Sequence, residues 1–154
     1  MRNVSVLWVV LIQWVLALEW LMSGYGKFAK PDFMANIGKT LSTFGSKATN
    51  PSYAQFLNQT AVPMASLFGN LTRYGELLGG LALLIGGWLV LRHKKVSNLV
   101  KAIVLLALIG LAFMNLNFYL AAGWSSPSTA GINLTMGLIE AILALCYIQL
   151  LRES

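Results

Sequence analysis

Cysteine and histidine are nearly absent from this chain. Cys146 is the only cysteine and His93 the only histidine among 154 residues. A single cysteine excludes an intrachain disulfide, and a single histidine excludes a haem held by two histidines of this chain. The sequence also contains no cluster of metal-ligand residues, so we expect this chain to bind neither a metal nor a haem. Electrons that pass through it would then be carried by another subunit or by a diffusible cofactor.

Charged residues are scarce as well. They make up 10% of the chain, whereas hydrophobic residues make up 57%. A soluble domain carries about 25% charged residues, so this chain has too few to cover a soluble surface. The composition therefore indicates an integral membrane protein, and the length of 154 residues fits one membrane domain over residues 1–154.

Four long apolar runs are present, at about residues 4–22, 74–91, 99–122 and 132–151. Each is close to the roughly 20 mostly apolar residues that cross a bilayer as a helix. The sequence therefore predicts an all-α, integral membrane four-helix bundle.

The segment 23–73 between the first two spans has apolar residues at regular intervals, which a plain linker would not have. Phe33, Ile37, Leu41 and Phe44 recur at helical spacing, and a second apolar set follows Pro51. This pattern predicts an outer segment of short amphipathic helices on the membrane surface. Such helices either cover the bundle as a lid or rest on lipid headgroups, and the sequence leaves both arrangements open.

The distribution of basic residues predicts the orientation of the chain. Arg2, Arg152 and the turn at 92–101 with its four basic residues all fall on one side of the membrane. The positive-inside rule assigns that side to the cytoplasm, so we expect a multi-pass cell-membrane protein with both termini cytoplasmic. The net charge of +6 is explained by this anchoring, and we do not expect nucleic-acid binding. The basic residues of the turn are Arg92, Lys94, Lys95 and Lys101.

Acidic residues within the spans are the most informative feature. The chain has five acidic residues, and Glu19, Glu76 and Glu140 fall inside or at the ends of apolar runs. An ionisable group at membrane depth costs about 2.5–3.5 kcal/mol on insertion scales, so its presence calls for a functional or structural reason. Small residues share the helical face of each glutamate, which predicts that all three face other helices.

A polar pocket in the outer half of the bundle is one reason for these acidic residues. Asn115, Asn117 and Tyr119 occupy the outer half of the third span, and we expect them to line this pocket with the three glutamates. The alternative is that the glutamates only hold helices together. In that case Arg73 is spaced to pair with Glu76, and Lys27 could neutralise Glu19.

Three segments together resemble the DoxX/DoxD family of small four-helix membrane proteins. They are residues 23–28 (SGYGKF), which close the first span, residues 74–80 (YGELLGG), which open the second, and residues 115–123 (NLNFYLAAG), which end the third. The third segment is especially similar to the DoxD branch. The resemblance implies the membrane subunit of a thiosulfate:quinone oxidoreductase, which oxidises thiosulfate to tetrathionate and reduces a quinone.

The resemblance and the polar residues together lead to a specific expectation. A quinone site needs an apolar slot, a few polar groups for the head and carboxylates that relay protons. We expect the three glutamates to have catalytic roles and the polar residues of the third span to contact the quinone. Lys27, Lys30 or Arg73 at the outer surface would attract a thiosulfate dianion.

Two other classes of function remain open. The chain could be a non-catalytic accessory subunit that binds lipids and other membrane subunits and stabilises a larger terminal oxidase complex. It could also be a small transporter lined by the three glutamates, although the almost purely apolar inner halves of the spans disfavour this class.

Overall fold

The computed structural model describes residues 4–93 and 95–152, in which every regular element is helical and no β-strand occurs. Arg2 and Lys94, two of the residues used to predict the orientation, lie outside the described residues. The α-helices in chain order are α1 (Val4–Ala29), α2 (Asp32–Lys47), α3 (Pro51–Phe56), α4 (Ala65–Arg92), α5 (Asn98–Ala122) and α6 (Pro127–Arg152). A π-helical turn (Leu57–Ala61) continues α3, and a 3₁₀ turn (Gly123–Ser125) separates α5 from α6.

Helices α1, α4, α5 and α6 are each long and apolar enough to cross a membrane. They confirm the predicted all-α four-helix membrane bundle. The helices are longer than the predicted spans, because α1 continues beyond Met22 to Ala29 and α4 begins at Ala65. Helix α6 begins with Pro127, which is favourable at a first helical position because proline lacks the N–H that would be left unbonded there.

Cross-helix contacts show that each long helix is antiparallel to the next. The late α1 residue Lys27 meets the early α4 residue Glu76, whereas Gln13, earlier in α1, meets the later Leu83. Lys101 near the start of α5 bonds the Leu150 carbonyl near the end of α6. The bundle therefore has a capped end, which carries α2 and α3, and a basic end, where the α4–α5 connection and both ends of the described chain lie.

Glycines allow α1 and α4 to approach each other closely. A Cβ atom on Gly24 would lie 2.8 Å from the backbone nitrogen of Leu77, and one on Gly80 would lie 3.1 Å from the carbonyl oxygen of Ala17. Since backbone atoms cannot move aside as a flexible side chain can, only glycine permits this spacing. The close approach brings the polar groups of α1 and α4 within hydrogen-bond distance of each other.

The outer segment packs on the bundle at the capped end. Asn50 caps α3 by accepting a hydrogen bond from the Tyr53 backbone N–H at 3.1 Å. Leu57 and Ala61 of the π-helical turn are buried together with Ala121 of α5. The predicted amphipathic helices are therefore present, and their apolar side covers the ends of α4 and α5 as a lid would.

Leucines from all four long helices fill the centre of the bundle. Five of them are at most 4% exposed, and they pack in one cluster with Trp20 and Tyr147. Because lipid tails are as apolar as leucine, these side chains stabilise the bundle through close van der Waals packing between the helices. These leucines are Leu16, Leu83, Leu108, Leu111 and Leu143.

Candidate functional site

A cavity of about 310 Å³ lies at the capped end, between the outer segment and helices α4 and α5. It is enclosed on one side by α2, α3 and the π-helical turn. Its lining is mainly apolar and rich in aromatic rings. Two of the lining side chains, Leu71 and Phe113, are 58% and 66% exposed and stand at the cavity rim. The aromatic lining residues are Phe44, Tyr53, Phe56, Phe68, Phe113 and Phe118.

The polar groups of the cavity lie on three elements. Tyr53 comes from α3, Thr72 from α4 and Asn117 from α5. The Tyr53 hydroxyl donates to the Asn117 side-chain oxygen at 3.0 Å, and the Asn117 amide nitrogen donates to the Phe113 carbonyl at 2.7 Å. The Thr72 side chain has no hydrogen-bond partner among the described residues. A ligand therefore meets one unengaged hydroxyl and one amide–phenol pair.

Burial keeps the Tyr53 phenol in its neutral form. It raises the pKa of Tyr53 from 10.0 to about 12, because a phenolate would be poorly solvated between the outer segment and the bundle. The phenol therefore remains a hydrogen-bond donor further into the alkaline range than an exposed tyrosine would. This donor links α3 to α5 across the cavity edge.

Glu76 forms an ion pair with Lys27 at the capped end of the bundle. Its carboxylate is fully buried, and its oxygens accept hydrogen bonds from the Lys27 Nζ atom at 2.8 and 2.7 Å. The same ammonium group donates to the Ser23 hydroxyl at 2.9 Å. This arrangement differs from the two predicted pairs, because Lys27 neutralises Glu76 rather than Glu19, and Arg73 does not pair with Glu76.

Glu140 lies in a second buried polar cluster near the centre of the bundle. One carboxylate oxygen accepts from the Trp20 indole N–H at 2.5 Å, and the other accepts from the Asn115 amide at 2.8 Å. All three side chains are at most 3% exposed. The Trp20 ring lies against Phe118, with 6.3 Å between the ring centroids. Since Phe118 lines the cavity, a single aromatic contact connects the cavity to the Glu140 cluster.

A third polar cluster lies closer to the basic end. The Gln13 amide donates to the Leu83 carbonyl at 2.6 Å, and its oxygen accepts from the Tyr147 hydroxyl at 2.8 Å. Both side chains are buried. The cluster joins α1, α4 and α6. Both the amide nitrogen and the oxygen of the Gln13 side chain have a hydrogen-bond partner in it. The core leucines separate it from the Glu140 cluster.

The eight predicted site residues do not form one pocket. Of these residues only Asn117 lines the cavity, whereas Asn115 belongs to the Glu140 cluster. Glu19 is exposed on α1 rather than packed against another helix, so its predicted position was wrong. Tyr119 is 37% exposed and does not line the cavity.

Arg73 contacts neither a glutamate nor the cavity. Its guanidinium donates to the Asn70 side-chain oxygen at 3.0 and 2.7 Å. It also stacks over the rings of Phe28 and Tyr74 at 4.8 and 5.2 Å from their centroids. These contacts hold the guanidinium at the capped end of the bundle.

Sequence reasoning missed Trp20, Ser23, Tyr53, Thr72 and Tyr147. A signal for the α1 residues was present, because Gln13, Trp20 and Lys27 recur at intervals of seven residues and share one helical face. The position of Tyr53 depended on how the outer segment folds back, which local spacing does not determine.

No group of three or more histidine, cysteine, aspartate or glutamate side chains in the described part of the chain could hold a metal ion. Comparison of the chain with protein-family models, with curated proteins and with solved structures gave no match. The cavity and the buried polar clusters are therefore the features of the molecule that indicate its function.

Proposed function

We propose that this protein is a membrane subunit that binds a quinone-type amphiphile in the cavity at its capped end. The observation that carries the proposal is an aromatic-lined cavity that opens at an apolar rim and offers hydrogen-bonding groups from Tyr53, Thr72 and Asn117. Small-molecule sites are typically apolar clefts of about 300–1,000 Å³ with a few polar groups that fix orientation. The cavity, at about 310 Å³, is large enough for a substituted ring.

The rim suggests how such a ligand would lie. Leu71 and Phe113 are exposed where the bundle surface is apolar, so an isoprenoid tail could leave the cavity between them and continue into lipid. The head would then accept a hydrogen bond from the Thr72 hydroxyl, because the Tyr53 phenol already donates its proton to Asn117. The polar groups inside the cavity thus suit the head of an amphiphile, and the apolar rim suits its tail.

We also propose that the bound quinone is reduced to a quinol at this site. Reduction of a quinone to a quinol consumes two electrons and two protons. We propose that the electrons come from another subunit of a quinone-linked oxidoreductase or respiratory complex. Glu76 and Glu140 do not line the cavity, so a proton relay from Glu140 would have to pass the Trp20–Phe118 contact.

Thiosulfate as the electron donor rests on the DoxX/DoxD resemblance alone. Of the three predicted anion-binding residues, Lys27 and Arg73 are engaged by Glu76 and Asn70. Lys30 is exposed at the capped end. A thiosulfate site at this end would therefore use Lys30 or require one of the two pairs to open.

The membrane orientation is part of the same proposal. Arg92, Lys95, Lys101 and Arg152 lie at the basic end, which we assign to the cytoplasmic side of the cell membrane. The cavity then faces the outer leaflet. Quinones dissolved in the membrane can reach it there laterally, through the rim.

A second candidate is an accessory subunit of a larger terminal oxidase complex. It is favoured by the complete pairing of both buried glutamates, because Glu76 is engaged by Lys27 and Glu140 by Trp20 and Asn115. Groups that are fully satisfied in this way can hold helices together without any catalytic role. A quinone in the cavity of the purified protein would favour the first candidate.

Photolabelling tests the proposal directly. A photoreactive azidoquinone should label peptides from α2, the π-helical turn and α5, and excess unlabelled quinone should remove the label. Thr72→Trp fills the cavity and should abolish this labelling. Ser66→Trp, which introduces the same side chain on the exposed face of α4, is the matched control and should not. Labelling that is confined to membrane-facing side chains and resists competition would contradict the proposal.

A further inference from the structure

Glu19 occupies an unusual position on the surface of the bundle. Its side chain is exposed on α1, where Val15, Leu18 and Met22 around it are 68%, 55% and 71% exposed. It has no hydrogen bond or ion pair with another described residue. The other two glutamates of the long helices are buried and fully partnered. The Glu19 carboxylate thus lies on the outer surface of the bundle, surrounded by exposed apolar side chains of α1.

Glu19 lies well inside the apolar length of α1. This helix is long and apolar enough to cross a membrane over Val6–Ala29. At 1.5 Å per residue, Glu19 lies about 15 Å from Ala29 and roughly 20 Å from Val6. A glutamate side chain is too short to reach either end of this candidate span over these distances. Hydrocarbon offers it no donor or counter-charge, so a lipid-facing carboxylate at this depth is strongly disfavoured.

A second copy of this chain cannot supply the missing partner. Among the residues that the structure describes, no lysine or arginine lies in the middle of a long helix. Lys27, near the end of α1, is occupied by Glu76, and Arg73 is held by Asn70. A symmetric contact through α1 would also bring two Glu19 carboxylates close together, which like-charge repulsion opposes.

We propose that the strip formed by Val15, Leu18, Glu19 and Met22 is a docking surface for a transmembrane helix of a different polypeptide. That helix carries a lysine or arginine at the depth of Glu19. The apolar neighbours supply van der Waals contact along the two helices, and the ion pair fixes their register. The interface does not depend on quinone binding, because the strip and the cavity lie on different helices.

Site-specific photocrosslinking in the native membrane tests this interface. A benzophenone amino acid at Met22 should crosslink to one polypeptide that has a lysine or arginine within a membrane span. The matched control is the same probe at Leu138, which is 57% exposed on α6 at a similar depth, and it should not capture that polypeptide.

Charge variants then test the ion pair. Glu19→Lys should lower the crosslink yield at least about tenfold, because juxtaposed like charges cost more than the 1.4 kcal/mol that corresponds to a factor of ten. Changing the cation of the captured polypeptide to glutamate should restore the yield. Glu19→Gln, which keeps the shape of the side chain, checks that a loss of crosslinking does not reflect misfolding. It should retain the wild-type melting temperature and give an intermediate yield.

Three results would overturn the proposal. One is a crosslink from Met22 only to lipid or only to a second copy of this chain. Another is a yield that Glu19→Lys leaves unchanged. The third is a captured polypeptide with no cationic residue in any span. Since none of these measurements involves quinone, failure of the interface and failure of the proposed function are separable.

Discussion

The ammonium group of Lys27 lies 2.8 and 2.7 Å from the two carboxylate oxygens of Glu76 and joins α1 to α4 at the capped end. The carboxylate is fully buried, whereas the lysine side chain is 23% exposed. The lysine therefore reaches the buried acid along its aliphatic stem while its charge stays near the surface. This pair is the reason that α4 can carry an acid next to its glycine-rich face.

Removal of the lysine should destabilise the bundle strongly. Lys27→Met leaves Glu76 buried without a counter-charge, which typically costs about 3–5 kcal/mol. We expect a large fall in the melting temperature in detergent. Lys30→Met, which removes an exposed lysine at the same end, should have little effect. The double variant Lys27→Met/Glu76→Met should recover most of the loss. If Lys27→Met were as stable as the wild type, the ion pair would not contribute to the fold.

Gly24 and Gly26 provide a test of helix contact on a single helix. Gly24→Ala should destabilise the α1–α4 contact, because the added Cβ atom would lie 2.8 Å from the Leu77 backbone nitrogen. Overpacking of this kind costs about 1–3 kcal/mol. A Cβ atom on Gly26 meets nothing within 4 Å, so Gly26→Ala should be neutral or stabilising. Equal melting temperatures for the two variants would contradict the described helix spacing.

The Tyr53 phenol predicts a specific loss of stability at alkaline pH. The pKa of Tyr53 is raised by burial from 10.0 to about 12 in the folded protein. Between these two values the folded state holds a proton that the unfolded state has released, so stability should fall as pH rises from about 10 to about 12. Below pH 10 the phenol should not contribute to the pH dependence.

Protease sensitivity of the outer segment can measure this effect. Cleavage within residues 47–63 should accelerate above pH 10 in the wild type. In Tyr53→Phe, which lacks the bond to Asn117, cleavage should be faster at neutral pH and should lack this alkaline acceleration. Tyr25→Phe is the control, because Tyr25 is 69% exposed. Identical pH profiles for the wild type and Tyr53→Phe would contradict the assignment.

The sequence predicted the fold well because the bilayer imposes a simple rule. A segment that crosses about 30 Å of hydrocarbon must hydrogen-bond all of its own backbone N–H and C=O groups, which a helix does. Four apolar runs of sufficient length therefore predict four helices. Only the ends of the helices were misplaced. Ser23, Gly26 and Lys27 are too polar to be counted in an apolar run, yet they continue α1.

The candidate site was less predictable because rotation about a helix axis depends on tertiary packing. Glu19 and Trp20 are adjacent in the chain, yet Trp20 is buried against Glu140 and Glu19 faces outward. Gln13 of the same helix is turned inward and donates to the Leu83 carbonyl of α4. The cavity itself was not predicted in detail, because its walls meet only when the outer segment folds onto α5.

Binding of a short-tailed quinone to the protein in lipid nanodiscs tests the central claim most directly. The wild type should bind it saturably, Ser66→Trp should bind it equally well, and Thr72→Trp should bind it at least tenfold more weakly, a loss of about 1.4 kcal/mol, with an unchanged melting temperature. Binding that is absent from the wild type, or that persists unchanged when Thr72→Trp fills the cavity, would contradict the account.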